Sequence, residues 1–269
     1  MKKDIHIVMF SGGASSAYIA KWVVDQFGIE NSVLFFTDTQ WEDEDNYRFM
    51  EDVAEYIGIE ITRVADGRTP EDIFFEKRFL GNARMAKCSE VLKVRKTLDY
   101  VEELRMKGLE PILYFGIGPH EKHRADSLSK NYEHLPLEPI RTAFPMIDSI
   151  SQEVKARYIV ENEWKIKLPR MYELGFHHAN CAGKCCRAGM HHFANLYLVW
   201  PHRYKEFEEM EERFRKEIND NVSMMKRNGK PYTLKEFREN ELEKMEKKEL
   251  EEYAKQKDTD SIPCFCSFS

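Results

Sequence analysis

Two sets of residues in this sequence carry chemistry in their types and spacing. The first is Ser11-Gly12-Gly13-Ala14-Ser15-Ser16, set directly after the apolar run at 5–10. A glycine pair between a strand and a helix turns the chain tightly and leaves backbone N–H groups at the positive end of the helix, which is an anion site. No Cβ at Gly12 or Gly13 stands between that backbone and a phosphate, and Ser11 and Ser16 add hydroxyl donors. The second set is thiols. Five of the six cysteines fall in two short segments, Cys181, Cys185 and Cys186 in one and Cys264 and Cys266 in the other, with Cys88 alone. Such clustering points to metal or redox chemistry rather than to structural disulfides. Four thiolates, from Cys181, Cys185, Cys264 and Cys266, suit a tetrahedral zinc or a [4Fe–4S] cluster, and spacing alone does not choose between them or exclude a purely thiol role. Cys186 is the spare.

These residues need elements to position them. The sequence predicts strands at 4–10, 33–37, 59–64 and 112–117, with helices at 15–27, 43–57 and 89–106 between them. Tyr47, Met50, Val53 and Ile57 form the apolar face of the second helix. Repeated βα units of this length imply a doubly wound, mostly parallel α/β sheet, whose ligands sit at the carboxyl ends of the strands. Ser11, Asp38, Asp66, Gly116 and Gly118 fall at or just past those ends. His120, Glu121, His123 and Arg124 follow the fourth strand directly and are candidate substrate contacts. A further helix is expected at 151–164, then an irregular stretch at 168–189 in which His177 and His178 flank the cysteines, with His191 and His192 just beyond. Charged helices at 207–218 and 234–255 complete the chain. The expected division is an α/β domain with its Cys-rich loop at 1–190 and a helical C-terminal extension with a Cys-x-Cys tail at 191–269. The basic stretch Lys77, Arg78, Arg84, Lys87, Lys93, Arg95 and Lys96 reads either as a groove for a phosphate-bearing substrate or as a solvated face.

A net charge of −6 argues against a globally basic nucleic-acid binder, without excluding a local groove. With 42% hydrophobic and 33% charged residues, and no apolar run of membrane-spanning length or secretory type, a soluble cytoplasmic protein without a membrane partner is expected. The sequence leaves a homodimer open. It contains neither Gly-x-x-x-x-Gly-Lys-Ser/Thr nor Gly-x-Gly-x-x-Gly after a strand, which argues against a P-loop NTPase and a dinucleotide-binding site.

Ser-Gly-Gly-x-x-Ser after a first strand resembles the PP-loop of the adenine nucleotide alpha hydrolase superfamily, with Ser15 where an acidic residue is usual. Within it, four further segments resemble the phosphoadenosine phosphosulfate reductase family. They are Phe35-Phe36-Thr37-Asp38-Thr39 followed by Glu42, Cys88-Ser89-Glu90-Val91-Leu92-Lys93, Pro145-Met146-Ile147-Asp148, and the element running from Leu168-Pro169 through Tyr172 to Gly175-Phe176 ahead of the cysteines. The likeness covers residues 4–190. It implies that ATP binds through Ser11, Gly12, Gly13, Ser15, Ser16, Asp38, Gly116 and Gly118, with Mg2+, and is cleaved between its α- and β-phosphates. Asp38 would meet Mg2+ through water or contact the adenosine. Cys88, Lys93, Glu121 and Arg124 become catalytic candidates, and a [4Fe–4S] cluster is favoured over zinc. The Glu-Cys-Gly-apolar-His segment of the true reductases is missing. The expectation is therefore an ATP-dependent adenylating enzyme serving sulfur transfer or nucleic-acid modification, its acceptor a nucleic acid or a small sulfur-containing metabolite. A reductase of adenylylated sulfate and a non-catalytic nucleotide-binding module are the alternatives.

Overall fold

The computed structural model describes residues 2–82, 85–135 and 138–256; Arg84, Cys264 and Cys266 lie outside the described residues. Five parallel strands, β1 (Lys3–Met9), β2 (Ser32–Asp38), β3 (Ile61–Ala65), β4 (Leu109–Tyr114) and β5 (Arg141–Ala143), form one sheet in the order β3-β2-β1-β4-β5. The central strand β1 registers Ile7 against Val33 on one side and Leu113 on the other.

Alternation along this buried strand assigns its two faces. Val8 and Phe10 pack with α1 (Ala14–Phe27) and α2 (Glu44–Ile57), whereas Ile5, Ile7 and Met9 pack with α5 (Arg95–Met106) and α6 (Lys122–Glu133). Helices on both faces make the doubly wound α/β class expected from the sequence. The chain leaves β1 for β2 on one side and later returns to β4 on the other. That divergence opens a crevice at the carboxyl ends of β1 and β4, where such sheets bind ligands.

A third core joins distant parts of the chain. Ile73 and Phe74 from α3 (Pro70–Glu76), with Leu80, Leu92 and Phe176, pack against Phe193, Tyr204, Phe207, Phe214, Leu234, Phe237 and Leu250 of the C-terminal helices.

Several elements depart from the sequence reading. The helix expected at 151–164 begins at Ala156–Tyr158 and continues only as a π-helical turn, Ile159–Glu163. The single helix expected at 234–255 is three pieces, Leu234–Asn240, Leu242–Lys244 and Lys247–Ala254, because Glu241 leaves the helical conformation and Met245 and Glu246 turn extended. A hairpin pairs Met225–Arg227 with Lys230–Tyr232 across Asn228-Gly229, both at positive φ. Helix Met190–Val199 opens the helical extension expected from residue 191, whereas strand β5 was not read from the sequence. Among the described residues, no helix is long and apolar enough to cross a membrane.

Candidate functional site

The loop after β1 sits at this crevice. Gly12 has φ +74°, and Gly13 precedes the first turn of α1 in extended backbone. The Ser16 hydroxyl donates to the Gly13 carbonyl (2.8 Å) and lies 3.3 Å from the Ser11 amide, which fixes the loop from inside. The Ala14 amide donates to the Tyr172 hydroxyl, and desolvation raises that phenol's pKa. The N–H groups of Gly12, Gly13, Ser15 and Ser16 have no acceptor among the described residues. Ser15 is exposed on the loop. This is the anion geometry expected from the residues: unpaired amides at a helix N-terminus.

Neighbouring elements hold the loop in place. Gly116, just past β4, lies so close that a Cβ there would stand 2.7 Å from Ser15 C and Ser16 N. Gly118 faces open space, with nothing within 4 Å of its would-be Cβ. On the other flank, Asn46 of α2 is fully buried, and its amide stands where a side chain at Gly12 would be, 2.6 Å and 2.7 Å from that position. Neither atom of this amide has a hydrogen-bond partner. The Arg157 guanidinium lies 3.9 Å from the Tyr172 ring centre and donates to the His177 carbonyl, bringing positive charge beside the loop.

A second group of residues gathers around the cysteine loop. Cys181 donates its backbone N–H to Glu42 (2.7 Å), across 139 residues of sequence. Cys181, Ala182 and Gly183 follow one another at φ 54°, 48° and 86°, three successive left-handed residues. The Cys181 and Cys185 thiols are hydrogen-bonded to each other, which pushes Cys181 up and Cys185 down. Lys93 and Arg187, both buried, add to the lowering at Cys185. Burial raises the Glu42 carboxyl, with Lys93 acting against the shift. Lys93 lies in a π-helical turn, Glu90–Val94, between α4 (Lys87–Ser89) and α5; such turns recur at functional sites.

The remaining candidates take distinct places. Asp38 ends β2, with Oδ1 accepting from the Tyr47 hydroxyl and the Gln40 amide and Oδ2 from Arg63. Glu121 and the buried Arg124 form an ion pair at the start of α6. Desolvation, then the positive charge of the Arg124 guanidinium, pushes the His178 imidazole down to about 3. Cys88 is packed in the third core beside Val91 and Leu92. Cys186 packs against Gly81, where a Cβ would lie 2.4 Å from its sulfur. Of the basic stretch, Lys77, Lys87 and Arg95 line a cavity of about 340 Å³ with Phe79, Glu90 and Val91, while Lys96 pairs with Asp66. Thus the loop set and the Lys93–cysteine set gather at the ends of β1, β2 and β4, and Cys88 belongs to the core. Among the described residues, no three His, Cys, Asp or Glu side chains are placed to hold a metal.

Sequence reading missed Asn46, Arg157 and the Glu42–Cys181 contact, and took Tyr172 only as a motif residue. Asp43 shows why such links are hard to read. It caps α2 through the Asp45 amide and also receives Arg170 and Arg203 (each 2.8 Å), 127 and 160 residues away.

No curated protein matches the chain significantly. A family model, the phosphoadenosine phosphosulfate reductase domain, matches residues 5–183, about two thirds of the sequence, and spans β1, the glycine loop and the cysteine loop as far as Gly183. The chain therefore belongs to the phosphoadenosine phosphosulfate reductase domain family, whose members bind nucleotides and are generally enzymes.

Proposed function

We propose that the protein is an ATP-dependent adenylating enzyme. ATP lies with its pyrophosphate against Ser11, Gly12, Gly13, Ser15 and Ser16, and its adenosine end toward Asp38 and the segment Gly116–Gly118. The observation carrying this reading is the row of unpaired loop amides at the N-terminus of α1, at the crevice beside β4. An acceptor oxygen forms a bond to the α-phosphorus as the bond to the β-phosphate oxygen breaks, and pyrophosphate leaves. The loop amides are fixed before reaction, so they stabilise charge growing on the leaving group without reorganising. Lys93 and Arg124 add positive charge on the acceptor side. Glu121, paired with Arg124, orients it. Cys88 packs in the core and takes no catalytic part.

The donor chemistry of Asp38 limits its part in holding magnesium. Both of its oxygens already accept hydrogen bonds, one of them from a guanidinium, so it suits a contact through water better than direct coordination. Cys181 and Cys185 supply two adjacent thiols, which suits half of a four-thiolate site; Cys264 and Cys266 would complete it. A [4Fe–4S] cluster held there supplies one-electron chemistry, and zinc a structural tie.

The test is pyrophosphate release from ATP and Mg2+ with candidate acceptors, namely tRNA, DNA and small sulfur metabolites. Acceptor-dependent release that disappears on replacing Gly12 with a bulky residue supports the reading. ATP binding without release under all acceptors favours a binding module, and sulfite release from adenylylated sulfate favours a reductase. An absorption band near about 400 nm in anaerobically purified protein tests the cluster.

A further inference from the structure

We infer that Asn46 is a direct ligand of the bound pyrophosphate, an inference resting on the nucleotide reading above. A buried amide normally has its donors and acceptor satisfied, and leaving them unpaired is unfavourable. Asn46 is fully buried, and both Nδ2 and Oδ1 lack a partner. Packing alone would be served as well by leucine, which has nearly the same shape and nothing to satisfy. The unpaired amide does not lie at random: it is pressed against Gly12, in the loop whose own amides are unpaired.

The position on the helix reinforces this. Asn46 is the third residue of α2, a 14-residue helix capped by Asp43. The Asn46 side chain therefore reaches from the first turn of α2 to the loop that opens α1, whose positive end faces the same point. The ligand chemistry that answers the N-terminus of α1, its row of amide N–H groups and a carboxamide donor is a phosphate oxygen. Nδ2 donates to that oxygen, and the absence of a Cβ at Gly12 leaves the amide room to reach it. The unpaired amide is then retained in the nucleotide-free protein for binding, at the expense of stability.

The experiment is calorimetric titration of the full-length protein with ATP·Mg2+, with pyrophosphate·Mg2+ and with adenosine, for wild type, Asn46→Leu and Asn46→Asp. The expected result is about a tenfold or greater loss of affinity for both phosphate-bearing probes in Asn46→Leu, with adenosine unaffected and the ligand-free melting temperature unchanged or raised. Asn46→Asp, which keeps the shape and adds a negative charge, loses more; it carries the test if the leucine variant does not fold. Wild-type affinity for pyrophosphate in a folded variant overturns the inference while leaving the nucleotide reading intact. Absence of ATP binding by the wild type overturns both.

Discussion

Glycine at 116 and glycine at 118 look alike in the sequence and differ in what they do. A methyl at 116 meets the backbone of Ser15 and Ser16 at 2.7 Å, and backbone cannot swing aside as a side-chain tip can. Gly116→Ala should therefore displace the loop, lower stability by about 1–3 kcal/mol and weaken nucleotide binding with it. Gly118→Ala meets nothing within 4 Å at an ordinary φ, so its melting temperature should match wild type. Any loss of nucleotide affinity in that variant then reports a contact with ligand rather than a damaged fold. Melting curves and titrations of the two variants, side by side, check both expectations. At this scale the loop itself was legible, because a strand, two glycines and serines at fixed spacing are local facts. Asn46, Arg157 and the Glu42–Cys181 bond were not. Each acquires its meaning from a partner that only the folded sheet brings near, and an asparagine three residues into a helix has no distinguishing spacing.

At the scale of elements, the first half was readable because buried strands and amphipathic helices differ in period. The C-terminal region was less so. Its dense Glu and Lys pattern is compatible with helix throughout 234–255, whereas the backbone leaves the helix at Glu241 and again at Met245 and Glu246. Two local signals went unread: the Asn-Gly pair of the hairpin and the capping box of Thr233 with Glu236. Glu211 ties these elements together, accepting from the amides of Met224 (2.8 Å) and Leu234 (2.6 Å) at the two ends of the hairpin segment. Desolvation raises its carboxyl pKa to about 7 from an ordinary 4.5, outweighing the two amide donors. The folded state thus holds this proton where the unfolded state has released it. Stability should fall as pH rises through the window from 4.5 to 7, by up to about 3 kcal/mol from this group. Urea midpoints between pH 4.5 and 8 should show that slope, and Glu211→Gln should flatten it. The opposite slope at lower pH belongs to Asp43 and Asp45, whose arginine partners hold their carboxyls below the usual range.

Over the whole molecule, the sequence suggested a boundary near residue 190, and the third core runs across it. Phe193, Tyr204, Phe207 and Phe214 are fully buried against Ile73, Phe74 and Leu92 from the first part. Residues 1–190 alone would leave that apolar surface facing water, so the fragment is expected to aggregate or melt far below the full chain. The intact protein is expected to unfold in a single calorimetric transition. Two separated transitions, or a soluble and well-folded fragment, would show instead that the cores are independent. The same packing explains how the cysteine loop is anchored: Arg203, on the helix Pro201–Glu217, reaches Asp43 at the start of α2 and the Ala182 carbonyl within the loop.

That loop has one further consequence, and it concerns handedness. From Cys181 to Gly183 the backbone winds opposite to the sense that L-amino acids prefer. Glycine is indifferent to the inversion, but Cys181 and Ala182 each carry a Cβ against it. Glu42 on the Cys181 amide, Arg203 on the Ala182 carbonyl and His192 on the Gly183 carbonyl clamp the turn into its mirror form. Ala182 is therefore a place where removing a methyl group should strengthen the protein. Ala182→Gly is expected to raise stability by about 1 kcal/mol, less the entropy that glycine adds to the unfolded chain. A residue of D configuration, introduced by chemical ligation, would keep the methyl and satisfy the turn at once.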